Sequence, residues 1–295
     1  MNTHIALGPG GYKYTFHTGV LKYIKENKNH FDVKTISGSS VGTTCGVTFV
    51  CDSLDLHYLS GRTWVKNGRL FKPAFSVTSQ TLFEIDQDFF ELYVDILKIQ
   101  QSETELYFSS FNTKSQDVVY FRIKDYLTRE KVTKLMVASC TIPHITPNVL
   151  GSEENGFYID AAMKEPYPTR VMNKYKDDVK ICVLLTNPYE EKKKNDITSL
   201  ITEKIVEPLI FRNAPRKTIN EKLYARKFIK DNPDITFIYP SAENSQHFEA
   251  TFEITEELAR IRYNDGYNQA KKILSPLIKP KIIELPNDYS KLASL

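Results

Sequence analysis

The first fifty residues constrain the fold most, because they spell strand, glycine-rich turn and helix twice in succession. His4–Leu7 is a short apolar strand that enters Gly8-Pro9-Gly10-Gly11. Tyr14–Glu26 then places Phe16, Val20, Tyr23 and Ile24 at helical spacing. Val33–Ser37 repeats the strand, Gly38-Ser39-Ser40-Val41-Gly42 the turn, and Thr43–Val50 the helix. Two such units in a row predict an α/β fold, a parallel sheet with covering helices.

Beyond this start the pattern is coarser. Helices are expected at Thr81–Ile99, Lys131–Ser139 (stopped near Pro143), Ile197–Phe211, Lys217–Ile229 and Thr255–Leu274. Strands are expected at Leu106–Phe111, Val118–Ile123, Phe157–Ile159, Val179–Leu185 and Ile235–Tyr239, with a solvated loop at Glu190–Asn195. There is no internal repeat and no low-complexity linker, so 1–295 is expected to be one domain. Residues 1–187 would form its catalytic core and 188–295 an elaboration completing the fold.

Composition narrows the partners. Lys+Arg 39 against Asp+Glu 36 gives a net charge of +3 over 295 residues, too weak a balance to indicate a nucleic-acid binder. Charged residues at 25% and hydrophobic ones at 41% are those of a globular chain. Cys45, Cys51, Cys140 and Cys182 form no CxxC pair and sit among apolar or small residues, which reads as buried free thiols. No basic start followed by an apolar run marks a signal peptide, and no stretch approaches the roughly 20 apolar residues of a membrane span. A cytoplasmic protein is the expectation.

Gly38-Ser39-Ser40-Val41-Gly42 is a G-x-S-x-G match, and roughly 0.03 such matches arise by chance in a chain of this size. Its chemistry is specific. A serine nucleophile must project from a tight strand-to-helix turn, glycines at Gly38 and Gly42 leave room for neighbouring backbone, and the next helix aims its N-terminus at the serine. Gly10 and Gly11 also follow a strand and precede a helix, so their N–H groups suit a phosphate cradle or an oxyanion hole. Lys13 stands where a dinucleotide fingerprint needs glycine, and no P-loop follows, which favours the oxyanion hole. No metal or cofactor is expected.

The base is less sharply written. Of the six histidines only His247 falls where a Ser…Asp…His order would allow one. Asp160, flanked by Ile159 and Ala161 at a strand's carboxyl edge, could act directly on the serine if burial raises its basicity; a turn-capping role is the alternative. Lys13 fits either a contact to an anionic group or a solvated helix start.

Four segments in order resemble the patatin-like phospholipase family. Leu7–Leu21 (LGPGGYKYTFHTGVL) resembles its glycine-rich oxyanion segment, and Ile36–Gly42 (ISGSSVG) its nucleophile elbow. Ala138–Val149 (ASCTIPHITPNV) resembles the segment preceding its aspartate, and Tyr158–Pro168 (YIDAAMKEPYP) the aspartate motif. The resemblance implies a three-layer αβα sandwich around a mainly parallel sheet. It implies Ser40 as nucleophile, Asp160 as base without histidine, Gly10 and Gly11 as oxyanion donors, and phospholipase A-type hydrolysis of membrane glycerophospholipids. Pro9, Tyr14 and Ala161 stand where the family carries glycine, and a positive φ at Ala161 would strain the turn. The alternatives are a carboxylesterase using Ser40, Asp160 and His247, or a non-catalytic relative that only binds. Lys271–Lys281 (KKILSPLIKPK) would present Lys271, Lys272, Lys279 and Lys281 to an anionic interface, with Ile273, Leu274, Leu277 and Ile278 between them. A solvated helix end is the other reading of that segment.

Overall fold

The structure, a computed structural model, describes residues 1–58, 92–126, 128–142, 148–190, 221–249 and 254–278. In chain order these form β1 (Asn2–Leu7), α1 (Tyr14–Glu26), β2 (Asp32–Gly38), α2 (Val41–Val50), α3 (Ile96–Gln101), β3 (Glu105–Asn112) and β4 (Val118–Arg122). There follow α4 (Arg129–Cys140), β5 (Gly151–Ser152), β6 (Gly156–Asp160), β7 (Val179–Val183), α5 (Glu221–Asp231), β8 (Thr236–Ile238) and α6 (Glu256–Leu274).

The strands join one sheet in the order β5-β6-β3-β2-β1-β7-β8, with β4 also paired to β3. β1 runs parallel to β2 and β7, β2 to β3, and β7 to β8. The antiparallel partners lie at the other end, where β3 meets β4 and β6, and β6 meets β5. The sheet is thus mixed and mainly parallel, with helices on both sides.

Period-two alternation sorts the side chains. Ile5, Leu7, Ile181 and Val183 join the core beneath α1 and α6, while Ala6, Cys182 and Leu184 join a second cluster with Ala225 of α5. The right-handed crossover rule gives the same division. The chain steps one way from β1 to β2 through α1 and the opposite way from β7 to β8 through α5, which puts those helices on opposite faces.

The pairing of β3 positions the site. β4 takes Tyr107 to Phe111 along one edge of β3. On the other edge β2 pairs in parallel as far as Gly38↔Phe108, and β6 arrives antiparallel, ending at Asp160↔Ser110. The carboxyl ends of β2 and β6 therefore meet head to head, with only Ser109 between their last partners on β3.

Most expected elements stand within a few residues of their predicted bounds. Phe157–Ile159 extends so that Asp160 is the last residue of β6, and Lys217–Ile229 is realised as α5 from residue 221. Helix Ile197–Phe211, most of Thr81–Ile99, the stop at Pro143 and the loop after Glu190 lie outside the described residues.

α6 crosses α1 at backbone contact. A Cβ on Gly19 would lie 2.1 Å from Tyr263 O, and one on Gly266 2.2 Å from Phe16 O. Both α-helices tolerate glycine here because a side chain would part them. Gly266→Ala should therefore lower stability by about 1–3 kcal/mol despite alanine's better helix propensity. Denaturant titration checks this, and an unchanged or higher midpoint would show that the crossing is looser than described.

Candidate active site

Ser40 sits between β2 and α2 at φ 53° and ψ −132°, one of three non-glycine residues at positive φ among the described residues. Such backbone is strained by about 1–3 kcal/mol and persists only where surroundings impose it. Here they do. Ser40 N–H donates to Ser139 O (3.2 Å), and Ser40 O accepts from Thr43 N (2.9 Å) and Thr43 Oγ1 (2.7 Å). Gly38 and Gly42 are sterically required, since a Cβ would lie 2.5 Å from Thr43 N at the first and 2.3 Å from Leu7 O at the second.

Asp160 is 6% exposed. Its Oδ1 accepts from Ala162 N (2.9 Å) and from Ser39 Oγ (3.3 Å). The Ser40 hydroxyl lies beside the same carboxylate as a hydrogen-bonding neighbour, although the formed bond is that of Ser39. Catalytic contacts are commonly loose before substrate binds. Burial raises the carboxyl to about 6, against the opposing pull of the Ala162 and Ser39 hydrogen bonds and of the neighbouring Ser40 hydroxyl; among the described residues no cation contributes.

The end of α4 spans both groups. Ser139 O accepts from Ser40 N–H, and Thr141 O accepts from Asp160 N–H at 2.9 Å. Ser139 Oγ donates to Ser109 O (2.8 Å), and Ser109 Oγ to Gly38 O (3.0 Å), closing a buried polar frame around the two strand ends. Ser39, Ser139 and Thr141 lie within the elbow and the Ala138–Val149 segment, but neither assigns them a role, and Ser109 lies in a plain strand. Their bonds join residues far apart in the chain, which is why sequence reasoning missed them.

The glycine loop lies against this frame. Ser39 N–H donates to Leu7 O (3.1 Å), tying the end of β1 to the elbow. Among the described residues no partner bonds the N–H of Gly10, Gly11 or Val41. Gly10 packs so tightly that a Cβ would lie 2.4 Å from Leu185 Cδ1, and Gly11 adopts φ 54°.

Three expectations change. Lys13 is only 4% exposed, so it is not a solvated helix start. Burial pulls its pKa down, Glu221 opposes, and Arg262 and Lys222 add to the fall. Ala161 is fully buried and absent from the positive-φ residues, so alanine there introduces no backbone strain; Tyr14 at φ −52° is likewise relaxed. Asp160 is also a turn cap, as its Ala162 bond shows, so that role and proximity to the serine coexist.

No described histidine bonds Ser40 or Asp160. The His247 ring contacts Gln246 (3.4 Å). His4 is bonded to Thr35 and Asp178, both at 2.9 Å. Burial holds His17 down at about 4 and His57 at about 3, so both are neutral at pH 7. His144 lies outside the described residues. Cys45, Cys51 and Cys182 are buried and Cys140 is partly exposed, and none of them forms a disulfide among the described residues.

No family model and no curated relative matches the chain. Among solved structures it is similar to VipD from Legionella pneumophila, with a TM-score of 0.50 and 11% identity over 93% of this chain and 67% of that one. At that identity the likeness is one of fold. It agrees with the α/β sandwich that the patatin-like resemblance implies.

Asp160 also bears on stability. Its folded pKa of about 6 lies above the ordinary 3.8, so its stabilising effect is complete below about 3.8 and is lost as pH rises through 6. At pH 8 the ionised, buried carboxylate costs the fold roughly 3 kcal/mol. Asp160→Asn should therefore raise the thermal midpoint at pH 8 and raise it less at pH 4.5. Equal shifts at the two pH values would contradict burial of an ionised group.

Proposed function

We propose that this chain is a lipid acyl hydrolase of phospholipase A type, working through Ser40 and Asp160. The observation that supports this most is the juxtaposition at the β2–β6 junction: a strained serine beside a buried carboxylate whose pKa is raised and which has no cation beside it among the described residues. Such a carboxylate is basic enough to accept a proton near neutral pH, which an exposed aspartate is not.

Ionised Asp160 takes the Ser40 hydroxyl proton as Oγ adds to the ester carbonyl. The electron pair displaced onto the carbonyl oxygen is met by the unpartnered N–H groups of Gly10 and Gly11. Collapse expels the alkoxide of the lyso-lipid, which takes the proton from Asp160 and leaves an acyl-serine. Water, giving its proton to Asp160, then attacks this ester; the acyl–Oγ bond breaks, Ser40 Oγ takes the proton back from Asp160, and the fatty acid is released. Lys13, buried beside the glycine loop, is proposed to meet the phosphate of a head group that enters the site, whose negative charge would oppose the fall of its pKa.

A fluorogenic glycerophospholipid tests the dyad. Wild type should hydrolyse it with activity rising through a pH of about 6, set by Asp160. Ser40→Ala and Asp160→Asn should lose at least about 10³-fold. Full activity in Ser40→Ala would refute the assignment, and loss of activity in His247→Ala would favour the esterase that uses Ser40, Asp160 and His247.

Membrane contact belongs to the same proposal. No helix among the described residues is long and apolar enough to cross a membrane. Leu274 is wholly buried, and Ile273, Leu277 and Ile278 are partly buried against the core, so little apolar surface is left to insert. Lys271 and Lys272 are exposed, while Lys279 and Lys281 lie outside the described residues. Contact would therefore be electrostatic, worth about 1 kcal/mol per lysine near an anionic leaflet and weakened by salt. Flotation with phosphatidylserine vesicles at low salt should recover the protein, and 0.5 M salt should release it. Equal binding to neutral vesicles would contradict a charge-driven contact.

A further inference from the structure

The C-terminal helix reaches the glycine loop through one buried side chain. Arg262 of α6 is 1% exposed. Its Nε donates to His247 O (2.8 Å), its Nη1 donates to Tyr12 O (3.2 Å), and its guanidinium lies 5.7 Å from the Phe248 ring centroid. Tyr12 occupies the 3₁₀ turn Gly11–Lys13, immediately after Gly10.

A trans peptide is planar, with C=O and the following N–H pointing in opposite directions. Holding Tyr12 O therefore fixes the Lys13 N–H of the same peptide plane. That N–H donates to Gly10 O at 3.1 Å. Holding Gly10 O in turn fixes the direction of the Gly11 N–H, which has no partner among the described residues. Two peptide planes thus connect the Arg262 guanidinium to that N–H, and a charged donor at one end strengthens the chain of bonds. His17 anchors the other end of the loop, with Nε2 donating to Gly8 O at 2.8 Å.

We infer that Arg262 is a positioning residue that aims the Gly11 N–H from the C-terminal helix, through Tyr12 O and Gly10 O. The inference rests on the proposal that Gly10 and Gly11 form an oxyanion hole. It gives residues beyond 187 a part in the chemistry: without α6 the loop would keep its sequence and lose its aim.

The test compares wild type with Arg262→Gln and Arg262→Lys, using p-nitrophenyl butyrate hydrolysis and amide hydrogen exchange. Misaiming one oxyanion donor should lower kcat about 10²-fold with KM unchanged. Exchange in a peptide spanning residues 8–13 should quicken at least about tenfold, with β1 and β2 unaffected. Arg262→Lys keeps the cation but cannot bridge Tyr12 O and His247 O, so it should fall between the two; it also serves if Arg262→Gln does not fold. Tyr267→Phe is the control for docking of α6, because it removes only the Tyr267–Glu26 bond (2.7 Å) on the same helix pair. Its kcat should match wild type. Unchanged kcat or unchanged exchange in a folded Arg262 variant of an active protein would overturn the inference, as would an equal fall in Tyr267→Phe. A wild type that exchanges slowly at residues 8–13 but hydrolyses no ester would instead count against the hydrolase proposal, and the positioning role would fall with it.

Discussion

The head-to-head meeting of β2 and β6 on one edge of β3 is the constraint on which the rest depends. A parallel strand and an antiparallel one cannot share an edge residue for residue, so each must stop where the other begins. The chain uses that gap to place Ser40 and Asp160 side by side. The carbonyls of Ser139 and Thr141 hold the two backbones at that spacing, and the serine and threonine hydroxyls around them satisfy groups that would otherwise be buried without partners. This frame explains why Ser40 can stay at a positive φ and why the carboxylate is kept from water.

The arrangement works against stability. An ionised carboxylate with no cation beside it among the described residues and a serine in strained backbone each weaken the fold. Four buried polar atoms also lack partners among the described residues: Tyr14 Oη, Thr15 Oγ1, His17 Nδ1 and Ser110 Oγ. The offset comes from packing. Ile5, Leu7, Phe16, Leu21, Ile24, Ile36, Ile181 and Val183 are fully or almost fully buried in one cluster, and α6 locks onto α1 at backbone contact. Strain at a site supported by a rigid core is the usual division of labour in a protein with a chemical task.

Much of this was legible in the sequence where the signal is local. α1 begins and ends at the predicted residues, and β1, β2 and β3 lie within two residues of expectation, because alternation, helical spacing and glycine turns are short-range properties. Ser40 and Asp160 were legible through the elbow motif and the ordered resemblance. Position in three dimensions was not. Lys13 reads as a helix-start lysine until α5 and α6 cover it, and Leu274 reads as part of a basic apolar tail until it is found at the core. Arg262 is 250 residues from Tyr12, a distance no spacing argument crosses. The anticipated strain at Ala161 transferred a family habit to a residue whose own backbone does not need glycine.

Covalent labelling with a fluorophosphonate, mapped by peptide mass spectrometry, tests the central claim most directly. The probe reacts with a serine activated by a nearby base and mimics the tetrahedral state at the oxyanion hole. The account predicts one adduct, on Ser40, with labelling that rises as Asp160 ionises near pH 6. A folded protein that takes no label, or takes it on Ser39 or another serine, would contradict it.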